Sequence, residues 1–407
     1  MTPDTPQTGN QPADDVLDLQ FEPLELKMGP SHPATHGTIR INLKLDGETV
    51  QHAEVEVGYL HRGFEKECES GLYYQAFPYT DRLNYVSPII NNVGFALACE
   101  KLLGIEVPER CKYLRVIGSE ISRMGDHYTC LGACALELGA MSAFLYGVQA
   151  REQVWDVIDL MCGARVTSNY VRIGGLSEDV GPEFPAQVRE KLAKAAALQQ
   201  DLEDLLLSNP IFRERMEGTG KLGSDELIAL GVTGPLLRAA GVPYDVRRAQ
   251  PYLVYDRLDF DVPIGEQGDN MDRFLVRVAE LKQSSRMVEQ CLAQLPDGPI
   301  DIDNPHIRLA GKRKVFNRME ELIAQFKLVT EGPRPPVGEV YQAVEGGNGE
   351  LGFYLVSDGS GKPYKCRARS PSFSNTQALS RMVQGAMFAD VVPTFDMINM
   401  IGGECDR

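Results

Sequence analysis

The chain has 407 residues, 43% of them apolar and 24% charged, with a formal net charge of −16. That length allows a main domain with several packed layers, and the acidic balance argues against a nucleic-acid surface or electrostatic adhesion to anionic lipid. No window approaches the ~18–20 apolar residues of a membrane span.

In chain order, residues 1–20 are rich in Pro, Gln, Thr and Asp without a sustained apolar run. They read as a disordered acidic tail rather than an export signal, which predicts a cytoplasmic chain with reduced thiols. Residues 21–57 read as strands: Leu24–Met28, then Thr38–Leu45 and Thr49–Val57 around an Asp46-Gly47 turn. Between the first two lies Gly29-Pro30-Ser31-His32-Pro33-Ala34-Thr35-His36-Gly37, which carries two of the six histidines. Pro33 biases His32 away from helix. Paired imidazoles in such a loop serve either proton or ligand chemistry, or simply hydrogen-bond the loop backbone.

Residues 58–333 read as a helical bundle. Helices are expected over Arg82–Leu103, from Pro108 to about Gly139, over Met141–Cys162, Glu183–Leu207 and Asn270–Leu295. Residues 334–407 return to strands, with a hairpin signal at Gly346-Gly347-Asn348-Gly349 and a last helix over Asn375–Phe388. The expected fold class is α+β: a long-helix bundle with a small sheet formed by N- and C-terminal strands.

Several segments concentrate chemistry. Arg62 and Glu65 stand three apart, as an ordinary surface pair or part of a site. Tyr85 follows a turn in the first helix, either packing or offering a phenolic donor. Glu137 lies in an apolar, small-residue run, where a carboxylate is paired or functional. Arg165 and Arg172 flank a Gly-ended turn and would face an anion or cap carbonyls. None of the nine cysteines forms a CxxC pair, and Cys130 with Cys134 alone is weak evidence for a metal.

GPSHPATHG, YLHRGFEK, PYTDRLNY, the helix with Glu137, GARVTSNYVRIGG, LGVTGPLLRAAGVPYDVRRAQPY and the terminal Gly402-Gly403-Glu404-Cys405-Asp406-Arg407 occur in that order. Together they resemble the 49-kDa (D) subunit family of bacterial complex I, the NADH:quinone oxidoreductase, itself related to nickel–iron hydrogenase large subunits. Those relatives hold their metal with two CxxC pairs. Here both are missing, so the resemblance implies a hydrogenase-like scaffold without metal that binds a quinone headgroup. It implies that His36 and Tyr85 meet the quinone carbonyls and that Glu137, where the family usually has aspartate, pairs with His36. It places Arg62 near a 4Fe–4S cluster belonging to a neighbouring subunit, and Thr167 where relatives often have a cluster-side histidine.

The resemblance further implies quinone as substrate, no covalent cofactor, and NAD bound elsewhere in the complex. The implied partners are subunits B, C and I and membrane subunits H and A, with the chain peripheral on the cytoplasmic face of the inner membrane and inactive alone. The alternative is the equivalent subunit of a cofactor-F420- or ferredoxin-linked quinone reductase.

Overall fold

A computed structural model describes residues 23–35 and 38–407; the acidic tail, His36 and Gly37 lie outside the described residues. Its centre is the helix Glu109–Glu137, entered from Pro108, whose extended ψ of 152° sets the cap. Proline costs nothing there, because the first helical N–H groups have no intrahelical acceptor. The helix stops at Glu137 because Gly139 turns left-handed at φ +84°. Gly139 N–H then donates to Leu136 O at 2.9 Å and Ala140 N–H to Ala135 O at 2.7 Å, which satisfies two of the last-turn carbonyls.

Gly118, Gly125 and Gly132 repeat every seven residues along the central helix. A Cβ on each would meet, in turn, Met161, Trp155 and Phe144. The descending order shows that Met141–Cys162 runs antiparallel, and the missing side chains let the two helices pack closely. Phe184–Leu207 packs on that second helix, and Asn270–Gln294 packs on the central one. Among the described residues no helix is long and apolar enough to cross a membrane.

The α+β class is as expected, but the terminal strands do not share a sheet. Leu24–Met28, Arg40–Asp46 and Thr49–Glu56 form one antiparallel sheet; Gly338–Glu345, Glu350–Ser357 and Lys365–Arg369 form another. Each buries a different face. In the first, Ile41, Leu43 and Leu45 alternate inward onto a core with Leu236, Phe395 and Ile398. In the second, Val344, Phe353 and Leu355 join the helical core. Among the links between the ends is Val50, which exchanges backbone hydrogen bonds with Gly385 and Ala386.

Two helix expectations are corrected. Residues 82–87 form turns, and the first long helix begins only at Pro88, because Asn84 Oδ1 accepts the N–H groups of Val86 and Ser87 and Pro88 starts the helix. The expected helix over Asn375–Phe388 is instead divided into Pro371–Gln377 and Leu379–Met382. The expected tail contains two more helices, Val391–Ile398 and Gly402–Asp406.

Candidate functional site

Three of the chemically dense segments converge on the C-terminal helix Gly402–Asp406. A Cβ on Gly402 would fall 2.5 Å from Thr38 Oγ1, directly after the histidine loop. One on Gly403 would fall 2.4 Å from Arg82 O. Only glycines let this helix wedge between the loop and the 82–87 turn. Asp406 accepts the N–H groups of Gly58 at 2.9 Å and Leu60 at 2.6 Å, and its carbonyl meets His61 Nδ1 at 2.7 Å. Arg62 donates from Nη2 to Arg82 O at 2.5 Å.

Tyr85 sits half-buried in this cluster, and its hydroxyl makes no hydrogen bond among the described residues. Burial pushes the phenol above its ordinary pKa, and the negative Asp126 adds to that, while Arg62 opposes it. Asp126, fully buried on the central helix, accepts from Asn84 Nδ2 at 2.7 Å, Ser87 Oγ at 3.0 Å and Asn399 Nδ2 at 2.8 Å. Gly347 presses its Cα against this carboxylate, where a Cβ would be 2.2 Å from Oδ2. Glu404, also buried, accepts from Ser372 Oγ at 2.7 Å.

A second buried polar cluster fixes the central helix from Glu120 to His127. Glu120 accepts from Arg123, Arg247, Tyr255 and Ser284. Arg247 also binds Asp245, and Arg238 joins Glu280 to Glu345. His127 Nε2 lies 2.8 Å from Glu280. Burial holds this histidine below its ordinary pKa despite that carboxylate, and Nε2, facing an acceptor, carries a proton. These ion pairs tie the central helix to the segments Pro235–Ala239 and Val246–Ala249, to Asn270–Gln294 and to strand Gly338–Glu345.

Other sequence expectations fare differently. Glu137 is exposed, not embedded, because the helix ends there. It stands eleven residues beyond Asp126, about 16 Å along the axis at 1.5 Å per residue. Its pairing with His36 falls outside the described residues. Arg62 does not pair with Glu65, which binds Arg367 and the Ala368 N–H instead. Arg165 pairs with Glu152 and Asp156, while Arg172 donates to carbonyls within its own turn, so neither is held free for an anion. Thr167 is half-buried. His32 Nδ1 accepts the Ala34 N–H at 3.2 Å, shaping the loop.

Cys130 and Cys134 are buried thiols pushed upward by burial. Among the described residues no group of three or more His, Cys, Asp and Glu is arranged to hold a metal. A cavity of about 210 Å³, lined by Tyr74, Phe77, Ile173, Ile307, Leu328 and Val329 with four other residues, includes none of Arg62, Tyr85 and Glu137.

Sequence reasoning passes over Asn84, Asn348, Ser372, Asn399 and Glu404. Their chain positions are scattered, and only folding gathers them. The one signal for them is the density of ionisable residues in an otherwise apolar helix, Glu120 to His127, which demands partners from elsewhere.

Residues 137–407 match the family model described as the respiratory-chain NADH dehydrogenase 49 Kd subunit. The chain belongs to that family. It is 56% identical over 392 residues to the D 1 subunit of NADH-quinone oxidoreductase from Sorangium cellulosum, covering 96% of this chain and 97% of the relative. The D 2 subunit from Anaeromyxobacter sp. (strain K) is 51% identical over 94% of this chain and 89% of its own. The D subunit from Myxococcus xanthus is 49% identical over 96% and 94%. Members of the 49 Kd family thus match this chain nearly end to end, including the convergent segments around Tyr85.

Proposed function

We propose that this chain, a subunit of NADH:quinone oxidoreductase, forms the quinone-headgroup site of the complex. The observation that carries the reading is Tyr85, a half-buried phenol with an unengaged hydroxyl beside Asp126 and Arg62. Reduction of a quinone needs electrons and protons together. The electrons would come from a 4Fe–4S cluster held by a neighbouring subunit, near Arg62. The chain's own contribution is protonation. Tyr85 would hydrogen-bond one quinone carbonyl and give up its proton as negative charge develops there. His36 would serve the opposite carbonyl, with Glu137 orienting it; one methylene more than aspartate lengthens that reach.

The open face around Arg62 and Tyr85 supports a site completed by a partner. So does an apolar strip on 312–331, where Phe316 is 84% exposed and Met319 and Phe326 are each 67% exposed. A strip of that kind marks a subunit contact. Subunits B, C and I, and the membrane subunits H and A, are the proposed neighbours, with the assembly on the cytoplasmic face of the membrane. The relatives' names favour NADH as the ultimate donor over cofactor F420 or ferredoxin.

Tyr85→Phe tests the reading. In the assembled complex it should lower quinone reductase turnover at least ~100-fold, the usual contribution of a positioned proton donor, while NADH oxidation by an artificial acceptor stays intact. Native quinone turnover in the assembled variant would refute the role.

A further inference from the structure

Glu404 is a buried acid that the proton chemistry above leaves unused. It is 2% exposed, on the helix whose Gly403 abuts the backbone of Arg82 and Leu83. Its carboxyl accepts a hydrogen bond from Ser372 Oγ. Asp126 is hydrogen-bonded on one side to Asn84, the residue before Tyr85, and on the other to Asn399, three residues before the Glu404 helix, and its negative charge acts on both Glu404 and Tyr85. Asp126 Oδ1 accepts only from Asn399 among the described residues, so one of its acceptor sites remains open. The same cluster has a donor to spare: Asn348 is 1% exposed and its Nδ2 has no partner among the described residues, although its Oδ1 accepts from Asn399 at 2.6 Å. A buried, unpaired amide of this kind is suited to hold a proton-carrying water.

We propose that Glu404 is the proton store that recharges Tyr85, with Asp126 as the relay. The inference rests on Tyr85 being the donor to quinone. When quinone is reduced, the Tyr85 O–H bond breaks and a new O–H bond forms on the quinone oxygen, leaving a phenolate. The Glu404 proton then passes by way of Asp126 to that phenolate, restoring the phenol and leaving Glu404 as carboxylate. Glu404 takes its next proton from solvent. The electrons are those the complex already draws from NADH, so the step adds none.

The surroundings suit a store. Burial is the main force keeping the Glu404 proton on, the Ser372 hydrogen bond opposes it, Asp126 on the central helix reinforces it, and Arg369 and Arg407 oppose it. The result is a carboxyl pushed up to about 8. Such a group is protonated at neutral pH yet able to release its proton. Glu404 acts through Tyr85 and is therefore a positioning residue in the reaction.

The test is the pH dependence of quinone reductase turnover in the assembled complex. In the native complex turnover should decline as pH rises through about 8, where Glu404 loses its proton. Glu404→Gln should lower turnover roughly tenfold or more and abolish that alkaline limb, while Glu404→Asp keeps a limb. Ser372→Ala retains the acid and removes the hydrogen bond that favours its ionised form, so the limb should move to higher pH. An assembled Glu404→Gln complex with native turnover and an unchanged limb overturns the proposal. Should that variant fail to assemble, an unmoved limb in Ser372→Ala overturns it instead. Normal turnover in Tyr85→Phe would defeat the headgroup reading itself, whereas impaired Tyr85→Phe beside unaffected Glu404→Gln defeats only the store.

Discussion

Replacing Glu120 with glutamine probes the ionic cluster that fixes the central helix. Glu120 is fully buried, and burial alone would raise its pKa. The charges of Arg123 and Arg247, with hydrogen bonds from Tyr255 and Ser284, more than reverse this and bring it from an ordinary 4.5 to about 2. At neutral pH that depression is worth about 3 kcal/mol of stability. Removing the carboxylate also leaves two buried guanidiniums short of countercharge, and breaking such a pair costs about 3–5 kcal/mol. Two independent routes thus agree on roughly 3–4 kcal/mol.

A chain of this size has an unfolding entropy of about 0.9 kcal/mol/K, so Glu120→Gln should lower Tm by about 4 °C in calorimetry. The pH dependence carries a definite sign. Because the folded pKa is depressed, the stabilisation is complete above about 4.5 and disappears as pH falls towards about 2. Native and variant proteins should therefore converge in acid. A Tm within about 1 °C of native at neutral pH, or a gap that does not narrow in acid, would refute the reasoning.

Gly347→Ala would drive a methyl to 2.2 Å from the Asp126 carboxylate. Overpacking of that kind should cost about 1–3 kcal/mol in denaturant unfolding and lower quinone turnover along with it. Glu137→Gln, at an exposed helix end, should leave stability within about 0.5 kcal/mol of native. If Glu137 orients His36, the same variant should nevertheless slow quinone reduction in the assembled complex. Eight of the nine cysteines are buried and all are free, so alkylation of the native chain followed by peptide mapping should modify only the half-buried Cys162. Labelling of Cys130 or Cys134 before unfolding would contradict the packing.

Where the sequence speaks through period and punctuation, it is legible. Met141–Cys162 has the ends its pattern predicts, Pro108 locates the start of the central helix, and the Gly346–Gly349 turn joins the two strands expected. Helical period, however, carries through 82–87, where one side chain, Asn84, turns the backbone aside before Pro88. Alternation identifies the strands at both chain ends but not which core each face chooses, so it predicts one sheet where two form. The same limit governs the site. Arg62 and Tyr85 stand out in the sequence because their segments are short and chemically dense, and the Arg62 hydrogen bond to Arg82 O joins those segments in the fold. Glu137 reads as embedded from its apolar neighbours, whereas the left-handed Gly139 ends the helix and leaves it exposed. Asp126 and Glu404 take their meaning from Asn84, Asn399 and Ser372, contacts across 32 to 273 residues of chain that no local pattern records.

The most direct test of the central claim is photolabelling of the assembled complex with a quinone analogue reactive at the headgroup, followed by mapping of the modified residues. Labels are expected on the Gly29–Gly37 loop and the 81–87 turn, both suppressed by excess unlabelled quinone. Quinone-protected labelling confined to other subunits, with this chain unmodified, would contradict it.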